Sequence, residues 1–258
     1  ATLFGTGAAV SAFVVAYRIP NYLRRIFAEG SFSSAFVPVL SDLREKGDEA
    51  QVQDFLNHIA GALLAVVLAV TALGIALSPW IAQIFLAFAG KDSEQVALTA
   101  AMLRITFPYL TFITLTAMAG AVMNSFRHFG LPAFIPVLHN LSIIFAMLVL
   151  AQYFEIPAFA LAWGVLLAGV LQFCVMWPAL ARFGIKPKFK LDFKHPGVRR
   201  VFKLMLPTIF SSSVAQLNLL VGTIFASALV ANAQSWLYYS DRLTEFPLGL
   251  FGVAIGTV

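Results

Sequence analysis

The sequence predicts an all-α fold that crosses a membrane several times. Hydrophobic residues make up 60% of the 258 residues and charged residues only 11%, and the mean hydropathy is +0.87. A soluble domain is about 45–50% apolar and about 25% charged. The chain therefore has more apolar surface than one water-soluble core can bury, which is typical of a polytopic helical membrane protein.

Apolar runs define the predicted helices, since a transmembrane helix needs about 20 mostly apolar residues. A first run, from about residue 7 to residue 40, is interrupted by charged side chains. Six cleaner runs follow, at residues 55–77, 96–123, 131–153, 158–180, 201–230 and 235–258. The stretch 78–90, with Pro79 and Trp80, is too short for another span, so we expect it to lie at the membrane interface.

The distribution of lysine and arginine between the loops predicts the orientation. Alternate loops carry eleven of these residues on one side of the predicted membrane and one, Lys91, on the other. By the positive-inside rule the basic side is cytoplasmic. Most of the basic residues that give the chain its pI near 9.5 are therefore assigned to loops at the membrane surface. This location argues against nucleic acid as a partner.

A few charged side chains fall at membrane depth, where each costs roughly 2.5–3.5 kcal/mol on insertion scales. The basic ones are Arg18, Arg24, Arg25, Arg104 and Arg242, and the acidic ones are Glu29, Asp241 and Glu245. Residues of this kind usually face a bundle interior or an aqueous cavity.

The first charged constellation lies within the interrupted first run. At about 100° per residue, one helical stripe collects Arg18, Asn21, Arg25 and Glu29, with Arg24 beside it. One glutamate cannot neutralise three arginines, and arginine forks suit phosphate oxygens, so the excess positive charge predicts an anionic ligand. The alternatives are an ion-paired interior that fixes helix registry, or arginines that snorkel to the cytoplasmic headgroups.

The second constellation lies in the last run. Tyr238, Glu245 and either Asp241 or Arg242 share one helical face, and Arg242 can pair with Glu245. Because the charges nearly cancel, an ion-paired interior is a strong alternative here. Arg104 stands alone, and a structural contact is the favoured interpretation for it.

No further chemistry is indicated. The four histidines, His58, His128, His139 and His195, lack the spacing of metal ligands, so we expect no metal site. A single cysteine, Cys174, excludes an intramolecular disulfide. Glycine-rich phosphate loops are absent, so we expect no cofactor and no ATP site.

Four segments carry a family resemblance. They are VAYRIPNYLRRIFAEGSFSSAFVPVL (15–40), ITFPYL (105–110), FALAWGVLLAGVLQ (159–172) and YYSDRLTEFPLGLFGVAIGT (238–257). In this order they resemble the MurJ (MviN) lipid II flippases, over essentially the whole chain. The first and last segments are the specific ones.

The resemblance implies a MOP/MATE-like architecture with two six-helix lobes around a cationic cavity and two further helices that form a lipid-binding groove. It implies a non-enzymatic transporter in the bacterial inner membrane that moves lipid II, a polyprenyl diphosphate with a disaccharide-pentapeptide, to the periplasmic leaflet by alternating access. Peptidoglycan biosynthesis and cell shape would depend on it. Lipid II, the bilayer and cell-wall synthesis proteins are the implied partners.

The same resemblance implies roles for the membrane-depth charges. Arg24 and Arg25 match the family's cavity arginine pair, and Arg18 and Arg242 match further cavity cations that bind substrate. The acidic residues, Glu29, Asp241 and Glu245, are implied in gating or ion pairing. The family usually has Asp in a TDAF-like stretch where this sequence has Ser11, so the positive excess is partly due to that difference.

The resemblance also implies how the chain divides. Residues 1–200 correspond to the N-terminal lobe without most of its first helix, and residues 201–258 to the first two helices of the second lobe. We therefore expect a piece of a longer protein.

Three other functions remain open from the residues alone. A related MOP exporter of other polyprenyl-linked oligosaccharides or of drugs would have a similar cavity. An intramembrane phosphotransferase would also need arginines, but it would require clustered acids for Mg²⁺ or a nucleophile. A purely structural membrane scaffold predicts that changes at Arg24 and Arg25 are silent.

Overall fold

A computed structural model describes residues 8–24, 31–46, 48–87, 93–229 and 243, and its regular structure there is entirely helical. The helices are α1 (Ala8–Arg24), α2 (Ser31–Glu45), α3 (Glu49–Ala76), α4 (Ser78–Ala87), α5 (Ser93–Ser125), α6 (Gly130–Leu148), α7 (Ala158–Arg182) and α8 (Pro196–Leu229), with a 3₁₀ turn at Leu150–Tyr153. The predicted all-α class is confirmed.

Four helices of the described residues are long and apolar enough to cross a membrane. They are α3, α5, α6 and α7, with 28, 33, 19 and 25 residues. Each coincides with a predicted apolar run. The run 131–153 is longer than its helix, because α6 ends at Leu148 and the chain tightens into the 3₁₀ turn before α7.

The other predicted apolar runs correspond less directly to single spanning helices. The interrupted first run contains two shorter helices, α1 and α2, and α1 continues through Pro20 to Arg24. The stretch from residue 78 contains the ten-residue helix α4, too short to span, as predicted. Helix α8 covers most of the run 201–230. The run 235–258 lies outside the described residues, apart from residue 243.

Helix α5 is the centre of the bundle and packs against α1, α3, α4 and α7. Its buried residues surround the helix instead of forming one stripe, as expected for a helix enclosed on all sides. Two polar contacts fix its neighbours. The Thr106 hydroxyl donates to the Ala16 carbonyl at 3.0 Å, and the hydroxyl oxygens of Thr71 and Thr111 are 3.0 Å apart.

Helix α6 lies at the outside and packs mainly against α7. Only Ile135, Ser142 and Ala146 of its residues are buried, and large apolar side chains such as Phe134 and Leu148 are exposed. An apolar helix face of this kind suits lipid contact.

The basic segment after α7 is held against α3. Helix α7 ends in a turn in which Gly184 has φ +81°, with the Ile185 amide donating to the Leu180 carbonyl at 3.3 Å. The segment then passes so close to Gly61 that a Cβ there would collide with the backbone of Lys190. The Lys190 amide donates to the Asn57 carbonyl at 3.1 Å.

Candidate functional site

A cavity of about 480 Å³ opens between α1, α2, α5, α6 and α7. This volume lies within the range of small-molecule sites, about 300–1,000 Å³. Its described wall mixes apolar residues with the polar side chains of Tyr17, Arg24, Ser33, Tyr109, Thr116, Asn124, His139, Asn140 and Gln172. Asn124 is one residue from the end of α5, so the cavity extends towards the predicted cytoplasmic side.

Arg24 is the one arginine or lysine, and there is no aspartate or glutamate, among the described residues of this wall. It occupies the last turn of α1, where a cation complements the helix dipole. Its Nε donates to Oδ1 of Asn21 at 3.0 Å, a contact one turn back along the same helix. Asn21 therefore orients the guanidinium at the cavity.

An aromatic group forms the side of the cavity between α1, α5 and α6. The Tyr17 hydroxyl is 3.3 Å from Nε2 of His139, and the two rings are stacked. Tyr109 contacts the same imidazole, with ring centroids 5.8 Å apart. Two tyrosine rings, from α1 and α5, thus contact one imidazole of α6.

Two buried polar atoms of the wall have no hydrogen-bond partner among the described residues. They are Nδ1 of His139 and Oε1 of Gln172. Gln172 is only 2% exposed, and its Nε2 donates to the Ile135 carbonyl at 2.9 Å. An unpaired buried polar atom costs about 1–3 kcal/mol, so a polar ligand or water in the cavity would recover that cost.

The structure places the predicted site residues unequally. Arg24 lines the cavity, whereas Arg18, half-buried in α1, does not belong to its wall. The other predicted residues, Arg25, Glu29, Asp241, Arg242 and Glu245, lie outside the described residues. Their roles stay predictions.

Arg104 has a local structural contact. Its Nε donates to the Ser78 hydroxyl at 3.1 Å, which ties α5 to the start of α4. The side chain is exposed and is not part of the cavity wall. This geometry fits the structural interpretation of Arg104.

Sequence reasoning did not assign His139, Asn140 or Gln172 to a site. All three are uncharged, so a search for membrane-depth charges passes over them. A weaker signal was available, because each is a strongly polar residue inside an otherwise apolar run. Polar residues in such spans usually face the bundle interior or a cavity.

A second polar cluster joins α3 to the start of α8. Asp54, His58 and His195 each offer a ligand atom, and these atoms lie within 4.8 Å of one another. The spacing of the histidines along the chain predicts no metal ligands. Folding brings two of them together.

Known proteins resemble the chain along its whole length. The family model described as "Lipid II flippase MurJ" matches residues 1–258. The "Probable lipid II flippase MurJ" of Haemophilus influenzae is 45% identical over 265 residues, which cover 100% of this chain and 52% of that protein. The "Lipid II flippase MurJ" of Burkholderia cenocepacia is 41% identical over 262 residues, covering 100% and 51%.

A solved structure shares the fold. The structure titled "Lipid II flippase MurJ, inward closed conformation" superimposes with a TM-score of 0.75 at 28% identity, and the match covers 99% of this chain and 52% of that one. The chain therefore spans about half the length of the relatives it matches.

Proposed function

This chain belongs to the lipid II flippase MurJ family, and from that premise we propose that it contributes the Arg24 side of a cavity that carries the head group of lipid II across the bilayer. The family is one of transporters and not of enzymes. With four helices suited to spanning, the chain is a multi-pass protein of the bacterial inner membrane.

One observation carries the proposal: the guanidinium of Arg24 faces a cavity inside a helical bundle whose other described wall residues carry no lysine, arginine or acidic side chain. A cation in such a place attracts an anion. The planar fork of arginine binds two phosphate oxygens at once, which matches a diphosphate. The hydroxyl, amide and imidazole groups around Arg24 suit the uncharged sugar and peptide parts of the head group.

We propose further that Arg18, Arg25 and Arg242 join Arg24 along the path, and that Glu29, Asp241 and Glu245 compete with the substrate for these arginines. Competition of this kind keeps binding weak enough for release. Residues 1–200 would form most of one lobe and residues 201–258 the beginning of the other. The rest of a longer protein, with cell-wall synthesis proteins as partners, would complete the transporter.

The test is genetic complementation with the complete natural gene. Bacteria depleted of their own lipid II flippase receive wild type, Arg24→Ala, Arg24→Lys or the control Arg104→Ala, at matched membrane levels. Growth and periplasmic exposure of lipid II are measured. Arg104 is a good control because it is also an arginine of a spanning helix but lies outside the cavity wall.

We expect rescue by wild type and by Arg104→Ala, loss of rescue with Arg24→Ala, and partial rescue with Arg24→Lys, which keeps the charge but not the fork. Full rescue by Arg24→Ala would refute the role of this arginine. Absence of rescue by correctly inserted wild type would favour a related exporter of other polyprenyl-linked oligosaccharides or drugs.

A further inference from the structure

The cluster of Asp54, His58 and His195 holds together two distant parts of the chain. Asp54 and His58 are one helical turn apart on α3, and His195 immediately precedes α8. Oδ2 of Asp54 lies 3.3 Å from Nδ1 of His58 and 3.4 Å from Nε2 of His195. One carboxylate oxygen thus faces both imidazoles.

We propose that these three side chains form a binding site for a divalent transition-metal cation of the Zn²⁺ class. Imidazole nitrogens and a carboxylate oxygen are the ligands of many such sites, with a water in the fourth position. Metal–ligand bonds of about 2.0–2.2 Å place the corners of a tetrahedron about 3.3–3.6 Å apart. The two distances from Asp54 Oδ2 match the edges of that tetrahedron.

The imidazoles need a modest rearrangement to share an ion. Their rings are nearly parallel, at 11° with centroids 4.7 Å apart, so one ring must turn about χ2 to bring both lone pairs to one point. This torsion has a broad profile for histidine. Nδ1 of His58 would exchange its contact to the Asp54 carbonyl, 2.8 Å away, for the ion, and that carbonyl keeps its backbone partner in the helix.

The orientation of the His195 ring is a second relevant observation. Nδ1 of His195 is buried and has no hydrogen-bond partner among the described residues. No hydrogen bond through Nδ1 therefore opposes a rotation about χ2 that directs Nε2 towards an ion shared with Asp54 and His58.

Lys190 sets the strength of the site. Its Nζ lies 3.4 Å from Oδ1 of Asp54, the carboxylate oxygen that does not face the imidazoles. The ammonium therefore leaves Oδ2 available but repels an incoming cation. Removal of this side chain should therefore tighten metal binding, whereas removal of an imidazole ligand should weaken it.

The ion would have a mechanical consequence, which rests on the proposed function. Helix α3 belongs to the proposed first lobe, whereas α8 continues into the proposed second lobe. The cluster lies on the predicted cytoplasmic side, beside the basic segment 182–203. A bound cation would join the two lobes there and oppose their separation on that side.

The test uses Co²⁺ as the probe, since tetrahedral Co²⁺ with nitrogen and oxygen ligands absorbs visible light. The full-length protein is purified without a polyhistidine tag and titrated as wild type, His58→Ala, His195→Ala, Lys190→Ala and the control His128→Ala. His128 is an exposed histidine stacked on Phe183, outside the cluster. Size-exclusion chromatography checks the fold of each variant, and Asp54→Asn, which keeps the side-chain shape, supplies a second test.

We expect one Co²⁺ per chain in wild type and in His128→Ala, with Zn²⁺ displacing it. Affinity should fall at least about tenfold in His58→Ala, His195→Ala and Asp54→Asn, since even loss of an outer-shell partner costs about 10–100-fold, and should rise about threefold or more in Lys190→Ala. Equal binding in all variants, or no binding by folded wild type, would overturn the proposal. Either result leaves the complementation test of Arg24 unaffected, because the titration does not measure transport.

Discussion

The hydroxyl of Tyr17 in α1 lies 3.3 Å from Nε2 of His139 in α6, so a hydrogen bond links these two helices where they line the cavity. Tyr17→Phe keeps the ring and its stacking but removes this bond. Because a hydrogen bond contributes about 0.5–1.5 kcal/mol, we expect the melting temperature of the purified protein to fall by about 2–4 °C. Tyr153→Phe, at a side chain that is 75% exposed, should leave it unchanged.

Gln172→Leu should separate function from stability. The substitution removes an amide that contributes one hydrogen bond to Ile135, and it also removes the buried unpaired Oε1. These effects nearly cancel in the folded protein, so the melting temperature should change little. Lipid II exposure in the complementation assay should fall by roughly tenfold, the equivalent of one hydrogen bond of about 1.4 kcal/mol to the head group.

The control for Gln172→Leu is Gln83→Leu, at an exposed glutamine of α4. It should rescue as wild type does. A Gln172→Leu protein that transports normally would show that this amide faces an unused part of the cavity.

Gly61→Ala should detach the basic segment from α3. A Cβ at Gly61 would collide with the Lys190 backbone, and overpacking of this kind costs about 1–3 kcal/mol. We expect faster trypsin cleavage at Lys190. The cleavage rate is measured by mass spectrometry of the fragments. Gly130→Ala provides the matched control, because its Cβ would meet no atom within 4 Å. Equal cleavage rates in the two variants would contradict the close approach.

Arg127→Gly should stabilise the protein. Arg127 has φ +63°, in the left-handed region, at the end of α5, where the His128 amide donates to the Met123 carbonyl at 2.9 Å. Glycine adopts this conformation without the cost of about 1–2 kcal/mol that a Cβ brings. We expect a higher melting temperature, whereas Arg199→Gly, inside α8, should lower it by the helix-propensity cost of about 1 kcal/mol.

The sequence predicted the long helices well because their signal is local. An apolar run of about 20 residues requires no knowledge of neighbours. The bounds of α5 and α7 agree with their predicted runs to within three residues, and α3 begins six residues before its run. The first run was recognised as different from the others because charged residues interrupt it, although α1 continues through Pro20. Where α1 and α2 pack could not be predicted, because that depends on contacts with α5 and α8.

The candidate site was only partly predictable for the same reason. Arg24 was identified because a charge at membrane depth is conspicuous in a sequence. Gln172 and His139 became visible only when α6 and α7 placed them around one cavity. The pairing of His58 with His195 depends on the path of the segment after α7, which no spacing rule encodes.

The difference in length between packed helices has a consequence for the surrounding bilayer. At a rise of about 1.5 Å per residue, the 19 residues of α6 extend about 28 Å, close to the hydrocarbon thickness of about 30 Å. The 33 residues of α5 extend about 50 Å, so this helix must tilt or project beyond the acyl chains. Since α6 presents apolar side chains outward, a thicker membrane would draw the polar residues just before it, Arg127 and His128, towards hydrocarbon. The lipid composition would then affect the position of this protein in the bilayer.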